Sequence, residues 1–319
     1  MSGYAFIFPG QGSQTVGMGK DLADAFPAAK AVFEEVDTAL GEALSKVIWE
    51  GPEEDLTLTA NTQPALMAVS VAVMRALEAE FGVKVADAKF VAGHSLGEYS
   101  ALASAGALEL SDTAKLLRLR GSAMQKAVAP GEGAMAALLG ASMETADAAV
   151  AAGREIGACD IANDNAPGQV VLSGAKAAVE KACAFAQEAG VKKAVMLAVS
   201  APFHCSLMQP AQEAMAEALK ETKIITPVAP VVANVTARPT DNPDEIRAHL
   251  IEQVTGRVRW RESVEWMASE DGGALERTVE AGAGKVLITM NKRIARGLQG
   301  VALNTPADLE AFAASLNDA

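Results

Sequence analysis

A serine lies at the centre of the pentapeptide Gly93-His94-Ser95-Leu96-Gly97, which has the pattern Gly-x-Ser-x-Gly. The pentapeptide follows an apolar run at 90–92 and precedes a stretch with helical composition at 98–105. A serine at such a strand-to-helix turn stands clear of its neighbours, and the amide groups of the helix N-terminus face developing negative charge. The sequence therefore predicts Ser95 as the nucleophile of an acyl-transfer reaction.

Three histidines are available to serve as the general base. His94 adjoins Ser95, and adjacent side chains diverge at a sharp turn, so we expect His94 to pack against the turn or support it. His249 lies on a helical stripe with apolar residues, which is typical of a packed or rim position. His204 lies in a loop between a strand end and the next helix, where catalytic side chains of α/β proteins usually lie. We therefore favour His204 as the base.

A hydrolase triad also needs a group that orients the histidine, and in chain order that acid falls between the serine and the histidine. Asp160 and Asp164 are available, but both lie in a segment that we expect to form a separate lobe. An amide or a backbone carbonyl could orient the imidazole instead.

Arg120 interrupts the apolar face of a helix predicted over about 112–128, where Met124 shares its side. A guanidinium stays charged and is costly to bury unpaired, so Arg120 must meet an anion. The anion is either an internal carboxylate such as Glu98 or a free carboxylate of the substrate held by two hydrogen bonds. We favour the substrate, and we place Met124 with Arg120 among the substrate-binding residues.

A loop of small and amide residues, 9–14, follows the first predicted strand, 4–8. Its Gly10-x-Gly12 pattern lacks the third glycine of a dinucleotide-binding fingerprint, because Thr15 stands at that position. We expect Gln11 to supply a donor to an oxyanion hole beside the nucleophile.

Composition and charge exclude several classes of function. Half of the 319 residues are apolar, 21% are charged and 4% are aromatic, as in a soluble α/β protein. The net charge of −13 argues against a nucleic-acid surface, and no apolar run is long enough to span a membrane. The N-terminus lacks the features of a signal peptide, and three cysteines without metal-ligand spacing indicate neither a disulfide framework nor a metal site. We expect a cytoplasmic monomer without metal or bound cofactor.

The order of predicted elements defines two lobes. Between about 133 and 199 the pattern is β-α-β-β-α-β, the ferredoxin-like arrangement. Alternating helices and strands before and after it indicate an α/β domain with a mainly parallel sheet. We predict a large catalytic domain formed by 1–130 and 200–319, with a small subdomain, 131–199, inserted into it.

Several motifs together resemble the malonyl-CoA:acyl-carrier-protein transacylases of bacterial type II fatty-acid synthesis. The resemblance runs from about residue 4 to residue 304 and rests on specific segments of the chain. These are Phe8-Pro9-Gly10-Gln11-Gly12-Ser13-Gln14, Gln63-Pro64-Ala65-Leu66, Gly93-His94-Ser95-Leu96-Gly97-Glu98-Tyr99, Arg120-Gly121, Asn165-Ala166-Pro167-Gly168-Gln169 and His204-Cys205.

The resemblance implies an α/β-hydrolase-like large domain with a ferredoxin-like subdomain, and it implies a role for each residue that matches a family position. By this resemblance, Ser95 would be the nucleophile, His204 the base and Arg120 the clamp for the malonyl carboxylate. Gln11 and the Leu96 amide would form the oxyanion hole, and Gln253 would match the glutamine whose carbonyl helps to orient the histidine. Asn165 would match an asparagine near the cleft mouth, and Phe203 a residue that narrows the pocket around an unsubstituted malonyl group.

One departure from the family lies in Ala281-Gly282-Ala283-Gly284, where the family usually has Gly-Pro-Gly over the last three positions. The missing proline leaves the geometry of the turn before Lys285 open.

The implied activity is transfer of malonyl from malonyl-CoA to the phosphopantetheine thiol of an acyl carrier protein by a ping-pong mechanism. Alternatives are a malonyl transferase dedicated to polyketide assembly, a serine esterase or thioesterase, and an inactive carrier-binding module. Carrier proteins of this system are acidic, so we expect docking on basic residues. Candidates are Arg257, Arg259, Arg261, Lys285, Lys292, Arg293 and Arg296; the alternative for this set is an ordinary solvated surface.

Overall fold

The computed structural model describes residues 3–317, which form two β-sheets with helices packed around them. The strands are β1 (Tyr4–Phe8), β2 (Phe90–Gly93), β3 (Gly133–Leu139), β4 (Cys159–Ala166), β5 (Gln169–Ala175), β6 (Lys193–Met196), β7 (Val231–Val232), β8 (Pro239–Thr240), β9 (Arg277–Ala281) and β10 (Gln299–Leu303). The helices are α1 (Lys20–Ala25), α2 (Pro27–Leu40), α3 (Leu44–Glu50), α4 (Glu53–Thr57), α5 (Thr59–Phe81), α6 (Leu96–Ser104), α7 (Leu110–Lys126), α8 (Met143–Arg154), α9 (Lys176–Glu188), α10 (Gln209–Glu221), α11 (Pro243–Glu252), α12 (Trp260–Ala268), α13 (Val286–Ile294) and α14 (Pro306–Asn317).

The larger sheet has the strand order β10-β9-β1-β2-β7-β8 and is parallel except for β8 at one edge. Every residue of β1 is buried, as expected for a central strand covered by helices on both faces. Parallel pairing brings the carboxyl ends of β1 and β2 together, with Phe8 opposite Gly93. The loops that follow these strands therefore meet at one edge of the sheet, which is where α/β proteins place their sites.

The smaller sheet is antiparallel with the order β4-β5-β3-β6, and α8 and α9 pack on it around a core of their own. The chain order β3-α8-β4-β5-α9-β6 with this strand order is the ferredoxin-like arrangement. The predicted fold class is thus confirmed: an α/β domain with a mainly parallel sheet accompanied by a ferredoxin-like unit. All of these smaller-sheet elements lie within 131–199.

The sequence also predicts strands over 194–199 and 231–234, and both predicted strands are longer than the strands in the structure. The strand expected over 194–199 ends at Met196, because the chain then crosses from the smaller sheet to the larger domain. The strand expected over 231–234 ends at Val232, because the Asn234 amide leaves the sheet to donate to Glu98. Among the described residues, no helix combines the length and apolarity that crossing a bilayer demands.

Candidate active site

Ser95 stands alone in the turn between β2 and α6, with backbone angles of φ 54° and ψ −112°. A positive φ is unfavourable for a residue with a side chain, and it persists only where the surroundings enforce it. Here the close packing of backbone around the two flanking glycines enforces the conformation of Ser95, because a Cβ on Gly93 would lie 1.9 Å from the Gly97 carbonyl oxygen. A Cβ on Gly97 would lie 2.3 Å from the Phe8 carbonyl oxygen. The sharp turn exists because β1, β2 and α6 approach more closely than any side chain permits.

Ser95 and His204 are in direct contact, with 2.7 Å between Ser95 Oγ and His204 Nε2. The other ring nitrogen, Nδ1, lies 2.9 Å from the carbonyl oxygen of Gln253 and 3.1 Å from that of Gly256. Because both are acceptors, Nδ1 carries the proton and Nε2 offers its lone pair to the serine hydroxyl. Burial, assisted by the nearby Arg120 charge, lowers the pKa of His204 to about 3. His204 is therefore neutral at pH 7, as a base must be.

Within residues 3–317, no carboxylate hydrogen-bonds to His204. Asp160 accepts hydrogen bonds from Arg154 and from the Ser206 amide, while Asp164 is paired with Arg261. The backbone carbonyls of Gln253 and Gly256 occupy the position of the acid in a hydrolase triad. A backbone carbonyl was one of the alternatives to an acid that the sequence left open.

Arg120 is buried, yet no carboxylate lies within ion-pair distance of it in the described chain. Its Nη1 donates to Gln63 Oε1 at 2.9 Å. Its Nη2 donates to Gln253 Oε1 at 2.9 Å and to Ser95 Oγ at 3.2 Å. All three acceptors are neutral, so none of them supplies a countercharge to the guanidinium, which lies beside the Ser95 hydroxyl. Desolvation accordingly lowers its pKa.

The internal carboxylate considered as a partner for Arg120, Glu98, interacts with it through a bridge. Glu98 Oε2 accepts hydrogen bonds from Gln253 Nε2 at 2.8 Å and from the Asn234 amide at 3.0 Å. Burial raises the pKa of Glu98 to about 7 against the lowering effects of these hydrogen bonds and of the Arg120 charge. The Gln253 amide thus stands between the acid and the guanidinium.

Asn234 is a site residue that the sequence interpretation missed. Its Oδ1 accepts from the Ser95 amide at 2.8 Å, and its Nδ2 donates to the Gly93 carbonyl at 2.7 Å. The side chain therefore holds both ends of the serine turn. A buried asparagine two residues after the apolar strand β7, at the same sheet edge as β1 and β2, was the available signal.

A cavity of about 370 Å³ opens beside the Ser95 hydroxyl. Both lobes and the chain that joins them contribute to its wall. The lining residues are Gln11, Gly12, Gln14, Thr57, Gln63, His94, Ser95, Leu96, Arg120, Met135, Asn163, Asn165, Val171, Leu197, Ala198, Val199, Phe203 and His204. The predicted residues Gln11, Leu96, Asn165 and Phe203 therefore line the same cavity as Ser95.

Met124, which was predicted to contact the substrate, does not line this cavity. It is fully buried, and its sulfur lies 3.7 Å from Gln63 Nε2, behind the cavity wall. The reason is that Gln63 stands between it and the cavity.

Gln11 and Leu96 lie on the two loops that meet at the carboxyl ends of β1 and β2. Leu96 is the first residue of α6, so its amide has no acceptor within the helix. The Gln11 side chain is exposed and donates to Thr59 Oγ1 at 3.3 Å, which leaves the backbone amide as the group able to serve an oxyanion.

The two other histidines do not face Ser95 Oγ. His94 Nε2 lies 2.8 Å from Asn165 Oδ1, and its ring packs against Trp260 with 5.9 Å between centroids. This contact links the serine turn to β4 of the smaller sheet. His249 lies in α11, half-buried, away from the cavity.

The basic residues suggested as a carrier dock fall into two groups. The three arginines around the start of α12 each face a carboxylate: Arg257 lies 3.8 Å from Asp147, Arg259 pairs with Glu262, and Arg261 pairs with Asp164 and Glu265. The residues in and around α13 are exposed, and none has an ion pair within 3–317; they are Lys285, Lys292, Arg293 and Arg296.

The turn before α13 forms with Ala283 in place of the family's proline. Gly282 has φ 133° and Gly284 has φ 80°, both in the region that favours glycine. The glycines therefore supply the bend, and Ala283 is buried within it.

Comparison with known proteins agrees with this geometry. Residues 5–276 match the model of the acyl transferase domain family. The chain is 45% identical over 311 residues, or 98% of each protein, to the malonyl CoA-acyl carrier protein transacylase of Haemophilus influenzae. A solved acyl-carrier-protein S-malonyltransferase from Bartonella henselae superposes with a TM-score of 0.95 at 52% identity over 99% of each chain.

A second solved structure is a malonyl-transacylase in complex with a type II polyketide acyl-carrier protein. It has a TM-score of 0.93 and 41% identity, and the match covers 98% of this chain and all of that one. With identity above 40% over nearly the whole length and the serine, histidine and arginine joined in one cavity, the chain is an acyltransferase that belongs to the malonyl-CoA:acyl-carrier-protein transacylase family.

Proposed function

We propose that the protein transfers a malonyl group from malonyl-CoA to the phosphopantetheine thiol of an acyl carrier protein, supplying fatty-acid elongation. The observation that carries the proposal is the position of Arg120: a buried cation with neutral partners, 3.2 Å from the nucleophilic oxygen. A malonyl group esterified to Ser95 presents its free carboxylate a short distance from the ester carbonyl. The guanidinium is therefore placed to bind that carboxylate with charge-assisted hydrogen bonds.

The first half-reaction starts from the hydrogen bond between Ser95 and His204. Nε2 of His204 takes the hydroxyl proton while Ser95 Oγ attacks the thioester carbonyl carbon. The resulting oxyanion lies where the Gln11 and Leu96 amides can donate to it. The carbon–sulfur bond then breaks, His204 returns its proton to the CoA sulfur, and the malonyl-enzyme remains.

The second half-reaction reverses these roles with the carrier's thiol. His204 removes the thiol proton, the sulfur attacks the malonyl ester, and Ser95 Oγ leaves and regains its proton. The Nδ1 proton stays on the ring throughout, donated to the carbonyl oxygens of Gln253 and Gly256, which keeps Nε2 as the nitrogen that accepts and returns protons. The two steps call for no metal or bound cofactor, since malonyl-CoA and the carrier's phosphopantetheine are the substrates.

The cavity wall supports a preference for an unsubstituted malonyl group. Phe203 lines the cavity together with Met135 and Val171, and all three pack as one apolar cluster. A branch on the acyl group would compete with these side chains for space.

The exposed cations of α13 support docking of an acidic carrier on this side of the cavity. Arg293 donates to Gln169 Oε1 at 2.9 Å and to the Pro167 carbonyl at 3.1 Å, in the turn that follows Asn165. Asn165 lines the cavity, so the cationic helix adjoins the mouth. Because the protein carries a net charge of −13, a local positive surface is needed to attract an acidic partner.

Radiolabelled malonyl-CoA tests the proposal. We expect a malonyl-enzyme without carrier, and loss of its label to a fatty-acid carrier when that is added. Release of label as free malonate would indicate an esterase. Absence of any malonyl-enzyme would indicate an inactive binding module, and transfer to a polyketide carrier alone would indicate the polyketide-dedicated alternative.

The proposal includes a cytoplasmic location, consistent with three free cysteines, and a monomer, since the residues that line the cavity come from one chain.

A further inference from the structure

Glu98 is a buried acid whose carboxylate belongs to the active-site network but does not hydrogen-bond to Ser95 or His204. It lies in the first turn of α6, three residues after Ser95, and 1% of its surface is exposed. Its Oε2 atom accepts two hydrogen bonds, from Gln253 Nε2 and from the Asn234 amide. Burial of a carboxylate costs desolvation free energy, which indicates that this position has a specific role.

The reason lies in the side-chain amide of Gln253, whose orientation Glu98 determines. Gln253 Nε2 faces Glu98 Oε2 at 2.8 Å, the Ser95 carbonyl at 3.0 Å and Asn234 Oδ1 at 3.4 Å. These are all acceptors, and the nearest belongs to the acid. A flipped amide would set Oε1 against the carboxylate and the NH₂ group against a guanidinium. The amide therefore has one stable orientation, with Oε1 toward Arg120.

That orientation in turn aims the guanidinium. Gln253 Oε1 and Ser95 Oγ share the Nη2 group of Arg120, while Gln63 holds Nη1. If the Gln253 acceptor moved, Nη2 would lose the anchor that keeps it beside the nucleophile. We propose that Glu98 is a positioning residue that fixes Arg120 through Gln253 and so sets the preference for acyl groups that carry a carboxylate. This inference rests on the proposed malonyl transfer.

Two substitutions separate hydrogen-bond geometry from charge. Glu98→Gln keeps an acceptor of the same reach, because the two donors at Oε2 draw the amide oxygen to that position, but it removes the charge. Glu98→Asp keeps the charge and withdraws the acceptor by one methylene. The quantity to measure is the ratio of kcat/KM for malonyl-CoA to kcat/KM for acetyl-CoA, per mole of enzyme that can be acylated. That normalisation removes any effect of partial unfolding.

We expect Glu98→Gln to stay within about threefold of the wild-type ratio and Glu98→Asp to lower the ratio about tenfold or more, since the shorter side chain withdraws the acceptor that fixes the Gln253 amide and a small misplacement of the groups around the substrate is costly. In an Arg120→Ala background, Glu98→Asp should leave the ratio unchanged, because residues that act through one interaction are not additive. Ser100→Ala, a buried polar change in the same helix, is the matched control and should behave as wild type.

An unchanged ratio in Glu98→Asp, or a larger loss in Glu98→Gln than in Glu98→Asp, would overturn the inference. So would an equal effect of Glu98→Asp with and without Arg120. Failure of the proposed function looks different, because wild-type enzyme would then form no malonyl-enzyme, or would show no preference for malonyl that Arg120→Ala removes.

Discussion

Arg120 donates through Nη2 to the hydroxyl oxygen of Ser95 over 3.2 Å, so the proposed carboxylate clamp and the proposed nucleophile are hydrogen-bonded to each other. The same hydroxyl oxygen lies 2.7 Å from the base, His204 Nε2. Ser95 Oγ is thus held between a cation, which favours the alkoxide, and a neutral imidazole, which can accept its proton. In the proposed reaction, recognition of the acyl group and activation of the nucleophile meet at this oxygen.

Arg120→Ala should lower kcat/KM for malonyl-CoA about 30- to 1000-fold, since a charge-assisted pair in a dry site is worth on the order of 2–4 kcal/mol. Acetyl-CoA, without the carboxylate, should lose far less. Steady-state kinetics with both substrates measure the difference. Arg118→Ala is the control, because Arg118 lies on the same helix but pairs with Glu42 and Asn61. Equal losses for both substrates would make Arg120 a structural residue.

Ser95→Ala should abolish the malonyl-enzyme, because the turn 93–97 offers no other hydroxyl or thiol to carry the acyl group. Intact-protein mass spectrometry after exposure to malonyl-CoA detects the adduct directly. Ser100→Ala, in the same helical segment, should retain it. A malonyl adduct that survives in Ser95→Ala would place the nucleophile elsewhere.

The dependence of KM on pH should follow Glu98 and not His204. The pKa of Glu98 is raised to about 7, so the folded enzyme holds this proton below pH 7 and ionises above it. The ionised acid offsets part of the Arg120 charge, so KM for malonyl-CoA should rise about two- to fivefold as pH increases through 7. The other titratable neighbour, Tyr99, has its pKa raised to about 12 by burial and stays neutral.

Glu98→Gln should remove this inflection and leave a flat KM between pH 5 and pH 8. His204, with its pKa lowered to about 3, is neutral over that entire range and contributes no inflection of its own. An inflection that persists in Glu98→Gln would assign the titration to another group.

Lys292→Glu/Arg293→Glu should slow transfer to the carrier about tenfold or more at low salt and leave malonyl-enzyme formation unchanged, because only the second half-reaction brings in the acidic protein. Single-turnover measurements of each half-reaction, at low and moderate salt, separate the two. Lys220→Glu/Lys223→Glu makes the same change in net charge on exposed positions at the end of α10 and outside the cavity lining. Carrier transfer at the wild-type rate would show that the carrier docks on another surface, whereas equal loss of rate in both half-reactions would indicate a folding defect.

Gly97→Ala should destabilise the protein by about 2 kcal/mol or more, because the new methyl group would meet the backbone of β1 at 2.3 Å and neither chain can yield cheaply. Gly297→Ala is the matched control, since nothing lies within 4 Å of a Cβ at that position. Urea unfolding of both variants gives the comparison. Equal midpoints would mean that the serine turn can relax.

The sequence predicted site residues where a residue type in its setting has one common role. Ser95 between two glycines, and a lone arginine on the apolar side of α7, both indicate chemistry without knowledge of the tertiary structure. The ferredoxin-like order of strands and helices could likewise be predicted, because each element has its own periodicity.

The network behind the site could not be predicted in the same way. Asn234, Gln253 and Glu98 are far apart in sequence and meet only because β7 pairs beside β2. A glutamine that bridges an acid and an arginine has no local signature. Met124 shows the converse limit: helical periodicity placed it on the correct face of α7 but could not show that Gln63 shields it from the cavity.

The smaller sheet supplies Met135, Asn163, Asn165 and Val171 to the cavity, whereas the nucleophile, the base and the guanidinium all lie outside it. The residues that shape the acyl pocket from this side are thus encoded in a continuous stretch of the gene, 133–196, apart from those that make and break bonds. Recombination that exchanges this stretch between relatives would change this wall of the cavity and leave Ser95, His204, Arg120 and Phe203 in place. One side of the cavity can therefore diverge in evolution while the side that holds the guanidinium is inherited with the larger sheet.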